Sequence, residues 1–325
     1  MTYRFPRLPR AAAAAAAALA LLTAGCSASS GQATPPQVEK HNLTVAAVPA
    51  ADSAGLYIAE QRGLFKAQGL NVKIVPAVSS ATVINQQLAG KIDVSLGNYV
   101  SYILADADQN AKLRILAAAS VMGPNVQELL VPAGSPIHSV AGLAGKTIGV
   151  NVLNNIGTLL ITSVLSDNAM QPQKDHVHFK AVDFPKMAKA LQNHEVNAAW
   201  LPEPFVTGAE ETIGAQPLAD TDQGTTQNFP IGGIVVTQSW QRKYPKTAAA
   251  FRRAFLAGQR IAATDPAAVQ QGMQHFAQLP PSTGAIETLP TYPLTTDARS
   301  IQRIADLMLR FDMLRHAFDT RQMLP

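Results

Sequence analysis

The sequence is poor in cysteine, in aromatic side chains and in charge. Its 325 residues include a single cysteine, Cys26, and only 6% are aromatic and 15% charged. One cysteine forms no internal disulfide, and it supplies neither a thiolate metal cage nor a redox pair. The chain also lacks a Gly-x-Ser-x-Gly elbow and a Gly-x-x-x-x-Gly-Lys loop. Their absence removes the usual signatures of α/β hydrolases and of P-loop nucleotide binding.

The histidines do not form a recognisable metal site. Seven occur in the chain, and His176 and His178 are two residues apart in a predicted strand. That spacing places both side chains on one face of the strand. No third ligand accompanies them, although zinc is bound by at least three protein ligands. The sequence therefore predicts no metal and no cofactor.

An excess of charge of one sign is also missing once the first residues are set aside. The chain has 26 basic and 22 acidic residues, and three of the basic ones are Arg4, Arg7 and Arg10. The other 23 basic residues almost balance the acidic ones. A balanced chain has no electrostatic footprint for nucleic acid, so we expect no nucleic-acid partner.

Residues 1–25 are predicted to be a bacterial signal peptide. The three arginines precede an apolar run, Ala11–Leu22, that is too short to span a membrane. The run continues into Leu21-Leu-Thr-Ala-Gly-Cys26, which resembles a lipoprotein processing box and implies acylation of Cys26. Thr23 replaces the leucine that usually stands three positions before the cysteine. Cleavage as an ordinary secretory signal near Gly25 is the alternative.

Residues 26–42 are predicted to be a flexible tether, because small, polar and proline residues dominate them. No later segment is apolar for long enough to span a bilayer. We therefore expect an exported protein, either lipid-anchored on the outer face of the bacterial cell membrane or periplasmic.

From residue 43 onward, short strands alternate with helices, which predicts an α/β fold with mostly parallel sheets covered by helices. The predicted strands are 43–48, 70–75, 92–96, 114–119, 129–132, 147–150, 177–182, 196–200 and 232–237. The predicted helices are 56–62, 82–89, 100–109, 159–165, 184–191, 247–264, 267–278 and 298–317.

The stretch 146–165 combines a strand with a polar helix start. Thr147–Val150 has the β-branched character of a strand, and Asn154, Asn155 and Thr158 can each cap the helix that follows. The free N–H groups at such a helix start suit an anionic or polar ligand. A turn that only caps the helix is the alternative.

Several stretches match one family pattern: Leu56–Leu70 with its Tyr-x-Ala-x-x-x-Gly-Leu-Phe pattern, Ala89–Asp93, Val140–Gly149, Ile156–Thr158 and Glu203-Pro204. Together they resemble the solute-binding lipoproteins of ABC importers for aliphatic sulfonates, nitrate, taurine and thiamin-pyrimidine precursors. One turn departs from the family pattern, because His194 and Asn197 replace a glycine and an aspartate.

The resemblance implies a two-lobe fold, periplasmic-binding-protein-like and of type II, that closes over its ligand. Each lobe is a mixed, mostly parallel sheet flanked by helices, and two hinge strands join the lobes. Residues 43–128 and 232–325 are expected to form lobe 1, and residues 129–231 lobe 2.

Ligands of α/β sheets lie beyond the carboxyl ends of the parallel strands, and this rule selects candidate binding residues. From lobe 1 they are Asp52, Ser53, Gly55, Ser79, Ser80, Asn98, Tyr99 and Ser120. From lobe 2 they are Asn154, Asn155, Gly157, Thr158, Trp200 and Glu203. Some have structural alternatives, as a helix cap for Asp52, turn residues for Asn98 and Tyr99, a core aromatic for Trp200 and a structural or docking role for Glu203.

The resemblance implies a non-enzymatic, monomeric protein that delivers a small polar solute to a permease driven by cytoplasmic ATPases. The expected solutes are a sulfonate, a nitrate- or taurine-like anion, or a pyrimidine-type compound. No lysine or arginine lies on the predicted strand-end loops, which argues against a multiply charged anion.

A sensor that binds ligand without transport is one alternative. An enzyme similar to thiamin-pyrimidine synthase is another, but that chemistry uses pyridoxal phosphate, iron and a cysteine-rich motif, and this chain has only Cys26.

Overall fold

The structure is a computed structural model that describes residues 1–2, 37–276 and 288–324. Most of the predicted signal peptide, Cys26 and the first part of the predicted tether lie outside the described residues. The end of the predicted helix 267–278 lies outside them as well.

Two five-stranded sheets organise the described chain. The strands are β1 Asn42–Ala47, β2 Asn71–Pro76, β3 Val94–Asn98, β4 Leu113–Val121, β5 Gln127–Val131, β6 Thr147–Val150, β7 His178–Ala181, β8 Ala198–Pro202, β9 Gln216–Asp220 and β10 Pro230–Thr237. The first sheet has the order β2-β1-β3-β10-β4 and the second the order β7-β6-β8-β5-β9. The two sheets therefore repeat one plan.

One strand of each sheet runs against the other four. β10 is antiparallel to β3 and β4, and β5 is antiparallel to β8 and β9. The other neighbouring strands pair in parallel. The chain passes from β4 in the first sheet to β5 in the second through residues 122–126, and it returns from β9 to β10 through residues 221–229. The predicted α/β fold with two mixed, mostly parallel sheets is confirmed.

Helices cover both sheets. They are α1 Ala54–Gln61, α2 Leu64–Ala67, α3 Ser80–Leu88, α4 Tyr99–Gln109, α5 Ile156–Asp167, α6 Phe184–Gln192, α7 Phe205–Ile213, α8 Gln238–Lys243, α9 Pro245–Thr264, α10 Pro266–Phe276 and α11 Ala298–Arg310. α9 packs on α1 and α2, and α11 packs on α4. In the ranges that the structure describes, no helix is both long and apolar enough to cross a membrane.

The last helix is shorter than predicted, and β9, α2, α7 and α8 have no counterpart among the predicted strands and helices. The last helix ends at Arg310 and not at 317, because Asp312 adopts a left-handed φ of 57° that ends the helix. Leu314 is still buried, at 4% exposure, so the apolar stripe continues into the turn and the sequence alone overextends the helix. β9 was not predicted, since it is a polar and partly exposed edge strand that contains Pro217.

The folded body begins before the predicted end of the tether. Val38 is buried, and the Glu39 carboxylate accepts hydrogen bonds from the backbone N–H groups of Lys246 and Thr247 at 3.1 and 2.8 Å. Lys40 forms an ion pair with Asp93. Residues 38–40 are therefore held against α9 and the first sheet.

Candidate functional site

A small cavity lies between the two sheets, where the ends of their strands meet. Its volume is about 40 Å³, and a single water needs about 10–15 Å³ measured in the same way. The first sheet and its loops contribute Val48, Ala50, Asp52, Ser53, Ser79, Ser80, Leu96, Gly97, Asn98, Ile231 and Gly232. The second contributes Gln127, Asn151, Ile156, Phe184, Trp200 and Pro202. The space suits a few polar heavy atoms held from both sides.

The serine and asparagine side chains on the first-sheet wall are fixed by bonds within the protein. Ser53 Oγ donates to Val48 O at 2.7 Å. Ser79 Oγ caps α3 by accepting from Thr82 N, and Asn98 Oδ1 caps α4 by accepting from Ser101 N. These bonds hold the loops after β1, β2 and β3 in place around the cavity.

Ser80 joins two of these loops. Its Oγ accepts from Asn98 N at 2.8 Å and from Asn98 Nδ2 at 3.1 Å. The loop that precedes α3 and the loop that precedes α4 are therefore tied together at the cavity wall.

The second-sheet wall is largely aromatic. Trp200 lies in β8 with 2% of its surface exposed, and Phe184 at the start of α6 packs against it with ring centroids 5.7 Å apart. Asn151 follows β6 directly, and Gln127 opens β5. This wall combines two rings with two amides.

Four polar atoms of cavity-lining residues are buried without a hydrogen-bond partner among the described residues. They are Asp52 Oδ1, Gln127 Oε1, Asn151 Oδ1 and Trp200 Nε1. We call them the four unpaired atoms. A buried polar atom left without a partner costs about 1–3 kcal/mol. A polar solute in the cavity would supply the missing partners.

Asp52 carries the charge of the cavity. Burial raises the pKa of its carboxyl from 3.8 to about 6. The Ser120 hydroxyl approaches the carboxyl and opposes this rise in pKa, but Ser120 Oγ makes no hydrogen bond of good geometry within the described chain. Asp52 does not cap α1, whose start has no side-chain cap. The alternative prediction, that Asp52 caps this helix, is therefore wrong.

Six of the fourteen predicted site residues line the cavity: Asp52, Ser53, Ser79, Ser80, Asn98 and Trp200. Four others stand directly behind its wall. Ser120 faces Asp52, and Gly157 lies against the Trp200 ring, where a Cβ would come within 2.5 Å of Cε3. Asn155 caps α5 through a 2.7 Å bond from Ile156 N, and the Glu203 carboxylate accepts from Thr207 N and Oγ1.

The remaining four predicted residues lie elsewhere. Gly55 packs against the Gln259 side chain within the first sheet's helical layer, and the buried Tyr99 hydroxyl faces the backbone at Gly233. Asn154 and Thr158 line a separate surface depression, together with the residues His176 and His178. Among the described residues, no group of three or more histidine, cysteine or acidic residues could hold a metal ion.

Gln127 and Asn151 are the polar cavity residues that the strand-end rule did not select. Asn151 comes directly after the predicted strand 147–150, so its position in the sequence was a usable signal. Gln127 was hidden because β5 runs against its neighbours and brings its amino end, not its carboxyl end, to the cavity.

Two hydrogen bonds connect the sheets beside the cavity. Ser101 Oγ on α4 donates to Asn155 Oδ1 at the start of α5, at 2.9 Å. Ala51 N, in the loop after β1, donates to Glu203 O after β8, at 3.0 Å. The two walls are therefore closed on each other.

Solved structures with this fold include three binding proteins. The alkanesulfonate-binding protein SsuA from Xanthomonas axonopodis pv. citri, bound to MOPS, has a TM-score of 0.73 and 17% identity, covering 90% of this chain and 99% of that one. The nitrate-binding protein NrtA from Synechocystis PCC 6803 has a TM-score of 0.72 and 16% identity, with 88% and 85% covered. The ligand-binding component of an ABC-type import system from Staphylococcus aureus, with zinc bound, has a TM-score of 0.75 and 13% identity, with 88% and 97% covered.

At these identities the likeness concerns the fold. Among curated proteins, none matches the sequence. The family model described as NMT1/THI5 like matches residues 50–269, which confirms the resemblance read from the motif residues. Because the match spans more than half of the chain, the protein belongs to the NMT1/THI5-like family.

Proposed function

We propose that this protein is the exported solute-binding component of an ABC importer and that it holds a small polar solute in the cavity between its sheets. The four unpaired atoms carry this proposal. Buried polar atoms in proteins are almost always paired, and here four residues that line one cavity formed by both sheets each have a polar atom without a protein partner. A bound solute gives each of them a partner and links the two walls.

The importer class is supported by the fold's neighbours. Two of them are described as binding an alkanesulfonate or nitrate, and a third as the ligand-binding component of an import system. In our proposal, the two lobes are those expected from the sequence, residues 43–128 with 232–325 and residues 129–231, with their boundaries moved to the connections between the two sheets. The connections 122–126 and 221–229 act as the hinge, and a membrane permease with its cytoplasmic ATPase receives the solute from a monomeric binding protein.

We also propose that Cys26 anchors the protein to the outer face of the cell membrane by its lipid. Residues 38–40 are fixed on the folded body, so these three residues are not part of the tether predicted for residues 26–42. Labelling of the expressed full chain with radioactive palmitate tests the anchor. We expect incorporation in the wild type and none in Cys26→Ser, whereas equal labelling of both rejects the anchor.

A thermal-shift screen tests the binding function. The purified protein is heated with sulfonates, nitrate, pyrimidines and small amines, because a solute that binds the folded state raises the melting temperature. Asn151→Leu is the matched variant, since it removes one of the four unpaired atoms while keeping a side chain of similar size. A solute that raises the melting temperature of the wild type more than that of Asn151→Leu supports the proposal. Equal shifts in both proteins, or no shift with any solute, count against it.

A further inference from the structure

The cavity has an acid but no base. Among the described residues that line it, Asp52 is the only ionisable one, and lysine, arginine and histidine do not appear. In the described chain Asp52 is also not one of the paired acids, since the ion pairs involve Asp93, Glu195, Asp183 and Asp319. The charge of the site is therefore that of one uncompensated carboxyl group.

The groups around Asp52 do not neutralise it. Tyr292, which faces it from the segment before α11, donates a hydrogen bond from its hydroxyl to Ala51 O at 3.0 Å. Burial, and after it the nearby charge of Asp52, raises the pKa of Tyr292. The Ser120 hydroxyl is uncharged. A carboxyl group held in this way attracts a cation and repels an anion.

The helix starts around the cavity are less available to an anion than the sequence suggests. α3, α4 and α5 begin at the cavity or directly behind its wall, and each has a capping side chain of its own. Ser79, Asn98 and Asn155 accept from Thr82 N, Ser101 N and Ile156 N. An anion would have to compete with these capping side chains for the N–H groups of the first helical turns. The carboxyl group of Asp52 would also repel it.

The aromatic and amide side chains of the cavity wall are compatible with a nitrogen cation. The rings of Phe184 and Trp200 line the cavity, and aromatic faces attract cations. Gln127 Oε1 and Asn151 Oδ1 are further acceptors without a partner in the described chain. Of the four unpaired atoms, three are acceptor oxygens and one, Trp200 Nε1, is a donor, while the NH2 groups of Gln127 and Asn151 are further donors.

We propose that the cavity takes a small solute through a nitrogen group rich in N–H donors, with a cation such as an ammonium or guanidinium group preferred, and that Asp52 accepts from this group. The inference rests on the proposed solute-binding function and specifies its ligand class. It separates this chain from neighbours described as binding an alkanesulfonate or nitrate. The 40 Å³ of space admits a group of a few heavy atoms, which is the size of the proposed nitrogen group.

Three planar probes of equal size test the charge preference. Guanidinium, urea and nitrate each have four heavy atoms, and they are respectively cationic, neutral and anionic. The purified full chain is titrated with each at low millimolar concentration and constant ionic strength, and binding is followed by calorimetry and thermal shift. We expect guanidinium to bind most tightly, urea more weakly, and nitrate at least about tenfold more weakly than guanidinium, the ratio that one charge-assisted hydrogen bond supplies.

Asp52→Asn and Asp108→Asn separate the effect of Asp52 from that of overall charge. Asp108 is an exposed acid on α4, away from the cavity. We expect Asp52→Asn to lose the preference for guanidinium over nitrate and Asp108→Asn to keep it. The inference is overturned if Asp52→Asn still prefers guanidinium to nitrate. It is also overturned if guanidinium has the same effect on the wild type, Asp52→Asn and Asp108→Asn.

The failure of this inference can be told apart from failure of the proposed function. Saturable binding of nitrate or methanesulfonate to the wild type, without binding of guanidinium, leaves a solute-binding protein and rejects the role of Asp52. Absence of binding by every probe also rejects the cation preference. The solute screen with Asn151→Leu then decides separately whether the cavity binds a ligand.

Discussion

Removing one of the four unpaired atoms by substitution is expected to stabilise the ligand-free protein and to weaken solute binding. Asn151 is 6% exposed, and its Oδ1 has no partner among the described residues. Replacing it by leucine removes the desolvation cost without creating a cavity. We expect Asn151→Leu to raise the free energy of unfolding of the ligand-free protein by about 1 kcal/mol, measured by urea denaturation.

Asn155→Leu is the control for this change. Asn155 is as buried as Asn151, but its Oδ1 caps α5 and accepts from Ser101. Loss of the cap lowers the free energy of unfolding by about 1 kcal/mol. If both leucine variants are destabilised, the Oδ1 of Asn151 has a hydrogen-bond partner in solution, which contradicts this prediction.

Asp52 makes the stability of the ligand-free protein depend on pH. Its folded pKa of about 6 exceeds the ordinary value of 3.8, so the folded state binds the proton more tightly than the unfolded state. Its contribution to stability is complete below pH 3.8 and is lost as the pH rises through about 6. The difference of about two pKa units corresponds to about 3 kcal/mol at most.

Asp52→Asn is therefore expected to be more stable than the wild type at pH 8 by up to about 3 kcal/mol. Near pH 3.5 the two proteins should be nearly equal. Urea denaturation across this pH range measures the difference, and Asp108→Asn reports the effect of removing an exposed charge. A difference between Asp52→Asn and wild type that does not vary with pH contradicts the raised pKa of Asp52 in the folded protein.

At the scale of elements, the packing of α5 on β8 positions the aromatic wall. A Cβ at Gly157 would lie 2.5 Å from Trp200 Cε3, and the ring cannot move freely because it is buried against Phe184. We expect Gly157→Ala to lower the free energy of unfolding by about 1–3 kcal/mol. The displaced ring should also weaken solute binding and change the tryptophan fluorescence.

Gly208→Ala in α7 is the matched control. The space around Gly208 is open, because no neighbouring heavy atom lies within 4 Å of the position that a Cβ would take. Alanine in a helix interior is more favourable than glycine by about 0.5–1 kcal/mol. Gly208→Ala should therefore be as stable as the wild type or more so. Equal destabilisation of both variants would mean that α5 does not depend on close approach to Trp200.

The same elements show how far the sequence predicts the site. The loops after β1, β2, β3 and β8 could be predicted, because buried strands are visible as short apolar runs and their carboxyl ends share one edge. The rotation of α5 about its axis could not be predicted. Asn154 and Thr158 fit the polar helix start as well as Asn155 does, but the close contact of Gly157 with Trp200 turns them towards a different surface. Gln127 depends on strand direction, which pairing within the sheet decides.

At the scale of the whole molecule, hydrogen bonds beside the cavity join the two sheets. Ser101 Oγ to Asn155 Oδ1 and Ala51 N to Glu203 O are the hydrogen bonds described above that cross beside the cavity. Ser101→Ala removes the first of these and leaves Asn155 paired with Ile156 N. The change therefore weakens closure without leaving an unpaired oxygen.

Hydrogen exchange at Ala51 N measures the closure, because Ala51 is 1% exposed and its N–H bonds across the sheets. One hydrogen bond contributes about 0.5–1.5 kcal/mol, so we expect Ser101→Ala to speed this exchange about two- to tenfold in the ligand-free protein. Thr162→Ala is the control, since it removes a comparable 2.7 Å bond from Thr162 Oγ1 to Thr158 O that lies within α5 and does not join the sheets. Thr162→Ala should leave the exchange of Ala51 unchanged. The same acceleration in both variants would mean that Ala51 N reports general loosening and that Ser101 does not hold the sheets together.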